Sequence, residues 1–337
     1  MIKTPGQTKK NQIRNSHSFT RREALCLAGA FGIESSTLMS EERKPEMHSE
    51  TNLQPKVKFR YCFNTSTIMG CRVNGTRLPI NEVVDIAAKA GYDAIEPWID
   101  ELKSYVSGGG KLKDLHKQIQ DHGMTVESGI GFAAWIVDDP EIRRKGLEEA
   151  KQDMDLLKQI GGLRLAAPPV GATEISNFDL HRATERYRTL LELGDEMEVI
   201  PMAEVWGFSK TLTTLGEAAQ IALNADHPKA CILPDIYHLY KGGSGYHGVK
   251  LLSNSAVHVF HVNDVPANFT REKVTDADRV YPGDGIAPIA QVLRDLQSIG
   301  YSGILSLELF NKSYWEADAF QTAKTGLEKI KRIASTL

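Results

Sequence analysis

Four short apolar runs in the second half of the chain each carry one residue that is expensive to bury. "ILSLELF" sets Glu308 among Ile304, Leu305, Leu307, Leu309 and Phe310, and "IPMAEVW" sets Glu204 among Ile200, Met202, Ala203, Val205 and Trp206. "CILPDIYH" brings Asp235 after Cys231, Ile232 and Leu233, and "VHVFHVND" brings His261 after Val257, Val259 and Phe260. A charge in such surroundings is costly unless it is paired or coordinates a metal. Taken singly, each has an ordinary reading: a glutamate late in a strand as a salt-bridge partner, a histidine as a hydrogen-bonded core residue. Four in succession ask for one cause. Three carboxylates and one imidazole at a single point need a cation to coexist. This oxygen-and-nitrogen set suits one divalent ion of Mn²⁺, Mg²⁺, Zn²⁺ or Co²⁺.

Convergence requires a frame, and the sequence supplies one. From residue 58 onward, strand-like and helix-like stretches alternate: "FRYCFNTST" then "NEVVDIAAKAG", "YDAIEPWI" then "GKLKDLHKQIQDHG", "MTVESGIGF" then "PEIRRKGLEEAKQDMDLLKQIGG", "LRLAAPP" then "DLHRATERYRTLLELGDEM". "VIPMAEVW", "KACILPD", "AVHVFHVND" and "GILSLELF" follow, each leading into a helical or turn-rich segment. Gly91, Gly123, Gly161 and Gly300 stand where a helix must stop before the next strand. The helical runs are amphipathic, as in Val83, Val84, Ile86 and Ala87, or Met154, Leu156, Leu157 and Ile160. Alternating units imply a parallel sheet with helices outside, and eight of them predict a (β/α)8 TIM barrel. A doubly wound open sheet is the competitor, but no G-x-G-x-x-G follows the first strand. Catalytic groups of such barrels sit at the C-terminal ends of strands. Glu204, Asp235, His261 and Glu308 fall late in expected strands five, six, seven and eight, so their side chains can meet at the barrel mouth.

The chain has 337 residues, 41% hydrophobic and 25% charged, an ordinary globular composition. A net charge of -3 offers no basic surface for nucleic acid or an anionic membrane. No apolar run approaches the roughly 20 residues that span a bilayer. The expected partner is therefore a small molecule, and a homo-oligomer stays open. Cys26, Cys62, Cys71 and Cys231 form no C-x-x-C pair, so they read as small hydrophobes rather than as a zinc ribbon or redox couple. The N-terminus differs. Residues 1–22 carry Lys3, Lys9, Lys10, Arg14, Arg21 and Arg22 with no acid, and a mildly apolar run from Ala24 to Ile33 follows the twin arginine. Residues 1–35 resemble a twin-arginine export leader, which implies a periplasmic protein; the competing reading is a basic tail on a cytoplasmic one. Residues 36–56 read as a polar linker and 57–337 as the barrel domain.

Several motifs add a family resemblance: "CFN" at the first strand, "GYDAIE" ending on Glu96, "AEVWG", "PDIYHLYKGGS" with Asp235 and His238 in D-x-x-H spacing, "HVND", "TDADRVYPGDG" with Arg279, and "SLELF". Together they resemble the xylose isomerase-like TIM-barrel superfamily of sugar isomerases and epimerases, nearest to the inosose isomerases of inositol catabolism. The D-R-V-aromatic-P-G-x-G run is the most specific of them. The resemblance implies that Glu204, Asp235, His261 and Glu308 are the metal ligands. It implies that His238, Arg279 and Glu96 face the substrate. On residue chemistry alone, His238 is equally a hydrogen-bonding neighbour of Asp235, Arg279 a loop partner of Asp276 or Asp278, and Glu96 an anchor of the mouth. Two departures matter. Pro234 lacks a ladder donor just before Asp235, so strand six ends or bends there. "VPANFT" lacks the arginine that ketohexose 3-epimerases carry after this histidine motif.

The chemistry expected of this set is proton transfer beside a carbonyl, through an enediolate stabilised by the metal. Glu204 and Glu308 are the candidate base and acid. This defines a metal-dependent isomerase or epimerase of a keto-sugar or keto-inositol. The alternative is a lyase that expels a β-hydroxyl after the same first step, acting on a keto-sugar, keto-glycoside or inosose. A nuclease on this fold would need further histidines on strands two and three and a D-x-H after strand seven, and an excess of basic charge; none is present. A non-catalytic sugar-binding barrel is the remaining class, favoured only if the protein holds no metal.

Overall fold

The computed structural model describes residues 58–337 except Asn74. The leader expected over 1–35 and the linker over 36–56 lie outside the described residues, as does Cys26.

Eleven strands and ten α-helices are described. The strands are β1 (Arg60–Asn64), β2 (Arg72–Val73), β3 (Thr76–Arg77), β4 (Ala94–Glu96), β5 (Thr125–Val126), β6 (Gly129–Ile130), β7 (Arg164–Ala167), β8 (Ile200–Glu204), β9 (Ile232–Leu233), β10 (Val259–Val262) and β11 (Ile304–Leu307). The helices are α1 (Ile80–Ala90), α2 (Ile99–Ser107), α3 (Leu112–Asp121), α4 (Pro140–Gln159), α5 (Leu180–Met197), α6 (Leu215–Asn224), α7 (Ile236–Lys241), α8 (Ile289–Ser298), α9 (Lys312–Trp315) and α10 (Ala319–Ala334). β2 and β3 form a small antiparallel hairpin; every other pairing is parallel.

The parallel strands run β10-β11-β1-β4-β5 in one sheet and β6-β7-β8-β9 in another. Both joins between the sheets are bridged, Trp98 to Ile130 on one side and Ile232 to Val257 and Asp235 to His261 on the other. The third expected strand is thus broken into β5 and β6, and together they complete a circuit of eight staves, as the alternating sequence predicts. Helix boundaries follow local chemistry. Gly91 ends α1 in the left-handed region at φ 95°, a conformation that favours glycine. Asp139 caps α4 by accepting from Glu141 N and Ile142 N, with Pro140 at the first helical position. Thr214 and Glu217 close a reciprocal capping box at α6.

The barrel interior explains the site. Cys62, Ala94, Ile130, Ala166, Met202, Leu233, Val259 and Ile304 form one buried cluster to which each of the eight staves contributes, with Cys231 beside them. Side chains two residues apart on a strand share a face. One step further along therefore stand Asn64, Glu96, Glu204, Asp235, His261 and Ser306, with Glu308 one step beyond Ser306. A floor of small and aliphatic groups thus supports a layer of polar groups at the C-terminal end. Cys62, Cys71 and Cys231 are free and buried, as small hydrophobes. Among the described residues no helix is long and apolar enough to cross a membrane.

Candidate metal and active site

His261 is the centre of the polar layer. It is fully buried on β10, and its Nε2 faces Glu96 Oε2 at 3.0 Å. That oxygen also accepts from Ser306 Oγ at 2.7 Å and Asn64 Nδ2 at 2.9 Å. An oxygen so surrounded by donors makes Nε2 the protonated nitrogen. Nδ1 then turns a lone pair inward, 3.2 Å from Glu308 Oε2 and 3.8 Å from Asp235 Oδ2, with no hydrogen-bond partner of its own. Ligand atoms of Asp235, His261 and Glu308 all lie within 4.8 Å of one another. Burial alone would lower the His261 pKa, but the charges of Glu308 and Glu96 outweigh it and raise it well above its ordinary value. The field at Nδ1 therefore calls for a positive charge, a proton or a metal ion.

Asp235 shows why D-x-x-H spacing recurs. Strand β9 stops at Leu233, before Pro234, and Asp235 becomes the N-cap of α7. Its Oδ1 accepts from the backbone N of His238 at 2.9 Å, an N-cap to N3 bond. Its Oδ2 stays in the site, held by Asn263 Nδ2 at 2.8 Å and Arg279 Nη1 at 3.1 Å. The turn of α7 in turn aims His238 into the pocket. His238 Nδ1 accepts from Gly207 N at 3.2 Å, and its Nε2 lies 3.1 Å from Arg279 Nη2. One neutral ring cannot accept at both nitrogens. The Gly207 N–H and the Arg279 guanidinium can both only donate, so the ring accepts from one of them and not from both. Burial first, and Arg279 beside it, push the His238 pKa down to about 3, so the ring stays neutral.

Glu308 and Glu204 behave oppositely. Burial would raise Glu308, but His261 and then Arg279 outweigh it and hold its carboxyl below the usual range. Arg279 Nη1 meets Glu308 Oε2 at 2.7 Å, and Asn64 Nδ2 meets Oε1 at 3.1 Å. Glu204, the last residue of β8, is pushed up to about 8 by burial and by the charge of Glu308. Its Oε2 is buried without a partner. It lines the same cavity, of about 300 Å³, as His238, Arg279 and Glu308. It is not one of the three residues whose ligand atoms cluster within 4.8 Å.

Arg279 is buried too, at 1% exposure. It reaches Asp235 and Glu308, pairs with Asp276 in its own loop as its sequence context also allowed, and lines the cavity. Asp278 instead caps the loop through Thr275. Glu96, expected against the substrate, stands behind His261 and does not line the cavity. Sequence reasoning did not single out Asn64, Ser306 or Asn263. The signal was present for Asn64 alone, the one polar residue closing the apolar start of "RYCFN". A larger groove of about 660 Å³ beside α6 shares no lining residue with this site.

The orphaned His261 Nδ1 beside Asp235 and Glu308 fits a divalent cation by donor type and placement, and Glu204 Oε2, also orphaned, fits by donor type alone. A parallel barrel with this cluster at its C-terminal mouth defines a TIM-barrel protein with a candidate metal-assisted active site. More particularly, residues 84–333 match the family described as Xylose isomerase-like TIM barrel, and the chain belongs to that family. An inosose isomerase from Bacillus velezensis is 24% identical over 280 residues, covering 82% of this chain and 97% of the relative. A 3-dehydroshikimate dehydratase from Pseudomonas putida is 22% identical over 253 residues, 74% of this chain and 39% of the relative. The crystal structure of IolI with a bound zinc atom superposes with a TM-score of 0.74 at 22% identity, over 82% of this chain and 99% of that one.

Proposed function

We propose that this chain is a metal-dependent isomerase or epimerase of a keto-sugar or keto-inositol. The observation that carries the reading is the pair Glu204 and Glu308, lining one cavity with carboxyl groups pushed in opposite directions. Two titratable groups driven apart in this way are suited to acid and base roles. The inosose isomerase relatives and the zinc of IolI support the assignment.

Asp235 Oδ2, His261 Nδ1 and Glu308 Oε2 would hold the ion, with Glu204 completing the set. A divalent ion bound there supplies Lewis-acid polarisation of a carbonyl and its neighbouring hydroxyl. The protein's own groups do the rest. His238 faces the substrate oxygens from the cavity wall. Arg279 fixes the orientation of Glu308. Glu204, with one oxygen unpartnered, exchanges a proton with the carbon beside the carbonyl. Glu308 serves on the other side of the ring.

The test is proton NMR of keto-inositols and 3-keto-glycosides in heavy water with added Mn²⁺. Loss of one C–H signal with formation of an isomer or epimer is expected. No exchange with any of these substrates, in protein shown to hold metal, would refute the reading. The lyase reading has its own support in the dehydratase relative. It shares the first proton abstraction, and appearance of an enone absorbance in place of an isomer would select it. We further propose, from Arg21, Arg22 and the apolar run behind them, that the protein is exported.

A further inference from the structure

Trp98 belongs to two surroundings at once. Its indole lines the cavity, with ring centroids 5.0 Å from Phe132 and 5.8 Å from Phe310. Its Nε1–H donates to Asn64 Oδ1 at 3.1 Å, and Asn64 is fully buried. The backbone of Trp98 is held as well. Its N donates to Glu101 Oε2 at 3.1 Å, and the residue bridges to Ile130 of β6. Glu101 is itself buried and pairs with Arg77 at 2.7 Å. The indole is therefore a fixed donor, aimed from the start of α2 at the end of β1.

Asn64 makes every hydrogen bond that its amide allows. Oδ1 accepts from Trp98 Nε1 and from Ser66 N at 3.0 Å. Nδ2 donates to Glu96 Oε2 at 2.9 Å and to Glu308 Oε1 at 3.1 Å. Two lone pairs meet two donors, and two N–H groups meet two carboxylate oxygens. Turning the amide over would set all four contacts against one another, so the chemistry of the partners fixes its orientation. Ser66 N alone would leave the amide free to pivot on one bond. The indole N–H, arriving from a different stave, fixes its plane.

Both carboxylates on the Nδ2 side bear on the metal cluster. Asn64 occupies Glu308 Oε1 and leaves Oε2 at 3.2 Å from His261 Nδ1. Glu96 stands behind His261, 3.0 Å from Nε2. One amide thus sets which oxygen Glu308 turns toward His261, and also the place of the carboxylate that orients the His261 ring.

We infer that Trp98 is a positioning residue: its indole N–H, acting through Asn64, holds Glu308 and His261 in ligating geometry, beyond the part its ring plays in the cavity wall. The inference rests on the proposed metal reading of this cluster, and it gives a role to a residue that is not itself a ligand. Hydrogen-bond partners behind metal ligands fix the orientation of those ligands.

The test reads zinc affinity of the full-length protein by competition with a chromophoric chelator, and needs no substrate. Trp98→Phe keeps an aromatic ring in the wall and removes the N–H. It should weaken zinc binding by about three- to tenfold, the equivalent of one neutral hydrogen bond. Asn64→Leu removes the relay and should weaken binding by about 10- to 100-fold. Trp98→Phe added to Asn64→Leu should then cost less than about twofold more, because the indole has nothing left to orient. The visible spectrum of the cobalt form should shift in Trp98→Phe, since the ligands themselves move. Unchanged zinc affinity in Trp98→Phe overturns the inference. An equal loss in both backgrounds, or a loss with an unchanged cobalt spectrum, places the effect in wall packing and overturns it too. Trp98→Phe decides alone if Asn64→Leu does not fold, and Trp98→Leu, which also lacks the donor, stands in if Trp98→Phe does not. Wild type that binds no zinc would overturn the metal reading and this inference with it, an outcome distinct from zinc binding that survives loss of the indole N–H.

Discussion

Glu96 touches no substrate-facing surface, yet its replacement should damage the site in two distinct grades. Its Oε2 collects three donors, His261 Nε2, Ser306 Oγ and Asn64 Nδ2, while its Oε1 is buried with no partner. In Glu96→Gln the amide oxygen can take the crowded position and the NH₂ the empty one. All three donors keep an acceptor, and each bond falls from charge-assisted to neutral strength, a loss of about 1 kcal/mol apiece. His261 keeps its tautomer, so metal affinity should fall only about tenfold, the lower end for a partner behind a ligating histidine. In Glu96→Ala three buried donors lose their acceptor at about 1–3 kcal/mol each. A total of roughly 3–9 kcal/mol is a large part of the usual margin of about 5–15 kcal/mol. His261 is then free to flip, and affinity should fall at least about a hundredfold. Urea unfolding gives the first quantity and zinc competition against a chromophoric chelator gives the second. The reasoning fails if Glu96→Ala costs under about 1 kcal/mol, or if Glu96→Gln binds zinc as weakly as His261→Ala.

Three further outcomes are expected. Asp264 holds the turn after Arg279 by accepting from Val265 N and Ala287 N on one oxygen and from Gly283 N and Gly285 N on the other; Asp264→Asn turns an NH₂ toward two donors and should cost about 3 kcal/mol by chemical denaturation, with a cost under 1 kcal/mol contradicting the geometry. Glu204 is raised from 4.5 to about 8, so the folded metal-free protein holds a proton that the unfolded chain releases. That contribution is complete below about 4.5 and is lost as pH rises through about 8; unfolding free energies from urea titrations in EDTA should decline over this window by a few kcal/mol, and Glu204→Gln should flatten the decline. Finally, full-length protein should appear in the periplasmic fraction, and changing Arg21 and Arg22 together to lysine should leave it in the cytoplasm; cytoplasmic wild type would end the export proposal.

Much of the molecule was legible in one dimension because its signals are local. Apolar runs four to eight residues long, separated by amphipathic helices and stop glycines, specify a parallel barrel. A carboxylate or imidazole inside such a run is conspicuous wherever the run lies, so Glu204, Asp235, His261 and Glu308 stood out before any fold was known. What tertiary structure decided are the pairings that cross the barrel. Asn64 contacts Glu308 over a separation of 244 residues, Ser306 contacts Glu96 over 210, and His261 contacts Glu96 over 165. Strand register sets these contacts; Asn64 opposite Glu96 and His261 opposite Ser306 follow from which residues face each other across adjacent staves. The same register turned Glu96 from an expected substrate contact into the partner that orients His261. The ring of aromatic side chains around the cavity was equally invisible, because Trp98, Phe132, Phe310 and the pair Trp206 and Phe208 lie on four loops far apart in the chain. A strand's own period of two tells which side chains point inward; only closure of the barrel tells which of them meet.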